Sequence, residues 1–76
     1  MICGWTVAVF RRGSQGVAEY WDCAITSHRD AEDAVRAACS SPDVTLVSAF
    51  SPITANVIRL MRLKDGEIRR RSNLSL

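Results

Sequence analysis

Residues 3–25, CGWTVAVFRRGSQGVAEYWDCAI, decide the fold. From Cys3 to Phe10 the chain is rich in β-branched and aromatic side chains, and Trp5, Val7 and Val9 alternate with Thr6 and Ala8. That two-residue period belongs to a half-buried strand. After the turn formers Gly13, Ser14, Gln15 and Gly16 the period returns from Val17 to Ile25, with Trp21, Cys23 and Ile25 on one side and Ala18, Tyr20, Asp22 and Ala24 on the other. The two strands are expected to pair as a hairpin. Parity sets its register: a tip running from Gly13 to Gln15 places Val7 opposite Trp21 and Trp5 opposite Cys23, which keeps both bulky sets on one face.

Working outward from the hairpin, the period changes after Thr26. Ala31, Ala34, Val35, Ala38 and Cys39 recur at helical spacing with charges on the opposite side. Ser27 with Asp30 three residues later resembles a capping box, and Arg29–Asp33 and Glu32–Arg36 are candidate i,i+4 ion pairs. The alanine-rich stripe lets this helix approach closely over the Trp5, Val7 and Trp21 face, so small side chains on the helix meet large ones on the sheet. Ser40-Ser41-Pro42-Asp43 ends the helix, and Val44–Phe50 reads as a third strand.

Residues 51–66 admit two readings. Ser51-Pro52 could start a helix with Ile53, Val57, Leu60 and Met61 on one face and Gly66 as its stop. Asp65-Gly66 between two apolar runs is, however, a strong hairpin signal, and it would set Leu63 opposite Ile68 and Lys64 opposite Glu67. The hairpin is the preferred reading. The expected fold is therefore α+β, ββαβββ, an antiparallel-rich sheet with one helix packed on one face; the alternative is ββαβα. Residues 1–72 form one small domain, with a frayed tail at 73–76.

Seventy-six residues leave room for a single core, a marginal one that oligomerisation would reinforce. The hydrophobic content of 47% exceeds that of disordered chains, and no apolar run approaches a membrane span. The first ten residues lack the basic start and the cleavage site of a secretory signal, so the expectation is a cytoplasmic protein. Cys3, Cys23 and Cys39 are odd in number and widely spaced, which favours free thiols.

Catalytic signatures are lacking. Cys3, Cys23, His28 and Cys39 contain no close ligand pair of the kind structural zinc needs, and His28, the only imidazole, falls at the start of the helix. Asp30, Glu32 and Asp33 suit the positive end of the helix dipole. Arg12-Gly13-Ser14-Gln15-Gly16 precedes a strand rather than a helix, so it lacks the amide cluster of a phosphate loop. The expectation is a non-catalytic protein with no cofactor and no metal.

Two surfaces remain as candidate sites. On the hairpin register, Phe10, Ala8, Thr6 and Tyr20 share an outer face with Ala18 and Ala24, with Asp22 as the sole charge. An apolar sheet face rimmed by charge is the expected form of a subunit interface, which makes a homodimer the first partner hypothesis; the competing outcome is that the C-terminal segment folds over that face. The second surface is cationic. The net charge is only +2, but residues 59–71 hold Arg59, Arg62, Lys64, Arg69, Arg70 and Arg71 against Asp65 and Glu67. In the hairpin reading Arg62 opposes Arg69 and Leu60 opposes Arg71, so Arg62, Arg69, Arg70 and Arg71 form a candidate anion or nucleic-acid patch. With Phe10 and Tyr20 this matches part of the stacking-plus-charge pattern of single-strand binders, without their motifs. The preferred expectation is that these arginines pair with carboxylates such as Glu32 or Asp33 of the same or a partner chain. The functional expectation is a small binding module that self-associates, with a basic nucleic-acid-binding accessory domain as the second hypothesis.

Overall fold

The computed structural model describes residues 2–13 and 18–71. The chain is α+β, with four strands in one antiparallel sheet: β1 (Ile2–Arg11), β2 (Ala18–Cys23), β3 (Val44–Thr54) and β4 (Ile68–Arg70). Helix α1 (His28–Ala38) joins β2 to β3, and α2 (Ala55–Leu60) lies between β3 and β4. The strand order is β3-β1-β2-β4, so β1 is central and β3 and β4 are the edges. No helix among the described residues is long and apolar enough to cross a membrane.

The β1–β2 register is the one parity requires, with Val7 opposite Trp21 and Trp5 opposite Cys23. Most of the expected hairpin tip, 14–17, lies outside the described residues, as does the expected frayed tail at 73–76. Val7, Val9, Cys23, Ala31, Val35, Cys39 and Val47 form the core, flanked by half-buried Trp5 and Trp21. Ala31 and Val35 of α1 are fully buried against this face, while Ala38 is exposed at the end of the stripe. The Ser27 hydroxyl accepts the Asp30 amide at 3.3 Å and caps α1. Neither expected i,i+4 pair forms: Arg36 bonds Asp33 at 3.1 Å, and Glu32 leaves the helix surface to accept the Ala49 amide of β3 at 2.8 Å.

The preferred hairpin about Asp65-Gly66 is not formed, and neither 51–66 reading holds throughout. β3 runs on through Pro52 to Thr54, which an edge strand tolerates because one side of its backbone is unbonded. A helix does follow, but from Ala55, and it ends at a Schellman motif rather than at Gly66. The Leu63 amide reaches the Ile58 carbonyl at 3.2 Å and the Arg62 amide the Arg59 carbonyl at 3.0 Å, with Arg62 left-handed at φ 57°. The Asp65-Gly66 turn exists, closed by the Glu67 amide on the Lys64 carbonyl at 2.9 Å, but only Gly66 has positive φ. A two-residue hairpin of the Asp-Gly kind needs positive φ at both central residues. The chain therefore leaves this turn to join the edge of β2, with Cys23 opposite Ile68, Asp22 opposite Arg69 and Trp21 opposite Arg70.

Gly4 marks where β1, β2 and α2 converge. A side chain there would run into the Cys23 carbonyl and come within 2.9 Å of Ile58 Cδ1, so only glycine lets the helix settle on this end of the sheet. At the opposite end Arg11 ties three segments together, its guanidinium donating to Glu19 at 2.7 Å and to Asp43 at 3.0 Å. Asp43 is further held by the Ser41 hydroxyl, and these contacts keep its carboxyl below the usual range.

Candidate interaction face

The even-numbered side chains of β1 point away from α1. Thr6 and Ala8 are buried on that face, at 6% and 5% exposure, so they are its floor rather than contact residues. Phe10 and Tyr20, the other two residues assigned to the face from sequence, are half-buried. β3 adds what the hairpin parity could not supply. Leu46 pairs with Phe10 and Ser48 with Ala8, and Phe50 lies with its ring 5.7 Å from that of Tyr20. Leu46 and Phe50 are each 54% exposed. The face thus carries Leu46, Phe10, Tyr20 and Phe50 over a floor of small side chains.

Sequence reasoning missed Leu46 and Phe50 because their side is set by the long-range pairing of β3 with β1, which no short turn fixes and which is interrupted on both sides of Leu46–Ala49. The β1–β3 register shifts between Thr6 and Val7 and again between Phe10 and Arg11. Nothing in the local residue pattern announces such a register. The available signal was the composition of Val44–Phe50, with bulky residues at both parities.

Asp22, the charge expected on this face, is neutralised from the C-terminal side. Asp22 is 5% exposed and accepts the Thr6 hydroxyl at 3.1 Å. Arg71 follows β4 and bonds both oxygens of Asp22, at 2.6 and 3.2 Å, with its guanidinium 5.7 Å from the Tyr20 ring centroid. Arg71 thus covers one corner of the face, and Leu46 and Phe50 are exposed beside it.

The same contacts disperse the arginine cluster. Arg69 bonds Glu67 at 3.1 Å and the Met61 carbonyl at 2.7 Å; Arg70 lies 3.6 Å from Glu19; Arg71 holds Asp22. The partners are Glu19, Asp22 and Glu67 rather than Glu32 or Asp33. Arg62 does not oppose Arg69 across a ladder, since its residue ends α2, and Leu60 does not oppose Arg71, since it lies in α2 at 82% exposure.

Cys23 lies in the core beside the buried Asp22, and burial pushes its thiol up to about 11; burial also raises Cys39. Both therefore stay protonated at neutral pH, the opposite of an activated nucleophile. His28 is exposed and meets the Trp5 ring edge-on at 5.7 Å. Among the described residues no three His, Cys, Asp or Glu side chains gather as metal ligands would. No protein-family model matches the chain, and neither a curated protein nor a solved structure does.

Proposed function

We propose that this chain works as a small non-catalytic interaction module that self-associates through the outer face of its sheet. One observation carries the reading: Leu46 and Phe50, 54% exposed, stand beside half-buried Phe10 and Tyr20 on a face whose carboxylate, Asp22, is already paired. Clustered large apolar side chains on a small domain mark an interaction site, and a domain with so small a core gains most from covering them. The nucleic-acid reading is the weaker one, because Arg69, Arg70 and Arg71 each face a carboxylate of the same chain. Sedimentation of the wild type against Phe50→Asp tests the proposal. The expected result is a dimer that Phe50→Asp converts to a folded monomer; a Phe50→Asp variant that associates as the wild type does would refute it.

A further inference from the structure

We infer that two copies meet along the outer edge of β3, pairing it antiparallel with itself about Ser48 to make one continuous eight-stranded sheet. The inference rests on the self-association reading and places the contact at the β3 margin of that face, where Leu46 and Phe50 stand. β3 bonds β1 on one side and no described strand on the other. The Ala49 amide points to that outer side, since it bonds Glu32 rather than β1, and strand alternation turns the backbone of Val47 the same way. Between the two register shifts the regular run of the strand is Leu46–Ala49, so Val47 and Ala49 are its two outward-facing backbone sites.

An antiparallel ladder with its twofold axis at Ser48 uses both sites, each Val47 exchanging two hydrogen bonds with Ala49 of the second copy. It also sets exposed Leu46 against exposed Phe50 of the second copy, twice, on the outer face. Charge selects the same register. Glu32 stands at the height of Ala49, while Arg36 lines an open cleft of about 490 Å³ with Val44, Thr45, Leu46 and Val47. Along β3 the helix therefore runs backwards, and the twofold axis at Ser48 brings Arg36 of each copy to Glu32 of the other. The Ala49 amide exchanges the Glu32 carboxylate for the Val47 carbonyl of the second copy, which frees Glu32 for that pairing. Among the described residues Arg36 is held by an exposed contact to Asp33, which is weak and readily replaced. Within one chain Glu32 occupies an edge amide that would otherwise invite indiscriminate strand pairing, so the edge opens to a partner that offers a cation in return.

Two measurements test this. In a Cys3→Ala background, Ser48→Cys places thiols face to face across a non-hydrogen-bonded pair, where Cα atoms about 4.5 Å apart suit a disulfide. Mild oxidation is expected to give covalent dimers from Ser48→Cys and none from the exposed control Asp65→Cys. Arg36→Glu is expected to weaken dimerisation about tenfold by opposing Glu32, and adding Glu32→Arg to restore it to within about threefold. A chain that stays monomeric up to about 1 mM overturns both this inference and the self-association reading. A dimer that Phe50→Asp dissolves, but that Ser48→Cys does not cross-link and the charge swap does not rescue, overturns the edge geometry and leaves the face reading standing.

Discussion

Arg62 shows at the scale of one residue how the chain settles a conflict. It ends α2 in the left-handed region, at φ 57°, a position that glycine fills without cost and an arginine occupies against its Cβ. What holds it there is Leu63, whose amide bonds Ile58 and whose side chain is 8% exposed. Arg62→Gly is therefore expected to raise stability by about 0.5–1 kcal/mol in urea unfolding, although it removes a charge. Arg71 is the reverse case. It is the cationic partner of a nearly buried Asp22, and Arg71→Ala should cost about 1–3 kcal/mol because the carboxylate stays behind without its countercharge. Glu67 gives a pH signature. Its carboxyl is held below its ordinary 4.5 by the Lys64 amide first and by Arg69 second, so the folded state binds its proton more weakly than the unfolded chain does. The stability this adds is present above pH 4.5 and lost as pH falls through the lowered value. Urea midpoints of the wild type and Glu67→Gln should differ at neutral pH and converge at the acid end.

Among the elements, α2 is the one whose place depends on a neighbour's lack of a side chain. Ile58 rests over Gly4, so Gly4→Ala must displace the β2 carbonyl at Cys23 and also crowd the Ile58 side chain of the helix. The expected cost is about 1–3 kcal/mol, with hydrogen exchange rising first in α2 and at the β1–β2 pairing near Cys23. The same element marks the limit of reading this sequence. β1, β2 and α1 were legible because each has a clean period and one buried face, which fixes even the hairpin register. α2 and β4 were not. They are short and have mixed periods, and a long-range contact, Ile58 on Gly4, and the sign of one φ at Asp65 decided between hairpin and helix. Phe10 and Tyr20 were legible as face residues for the same reason as the hairpin, whereas Leu46 and Phe50 depended on the long-range register of β3 on β1, which local patterns do not encode.

At the scale of the whole molecule, α1 covers one face of the sheet, α2 and Arg71 cover corners of the other, and Glu32 guards the long β3 edge among the described residues. A chain of this size derives little stability from its own core, so association and folding should be coupled. If the folded chain is dimeric while the unfolded chain is not, raising concentration favours folding by mass action. Each tenfold increase shifts the balance by about 1.4 kcal/mol per dimer, or half that per chain, which for a domain of this size corresponds to about 3–5 °C in Tm. The wild type should show that slope above its dissociation constant and a flat Tm below it. Phe50→Asp should be flat throughout and meet the wild-type curve at low concentration, since a side chain already 54% exposed adds little to the fold of a single copy. A wild-type Tm independent of concentration over three decades would mean that the outer face contributes nothing to the stability of the folded chain, and Leu46 and Phe50 would then have to be explained by a partner of a different kind.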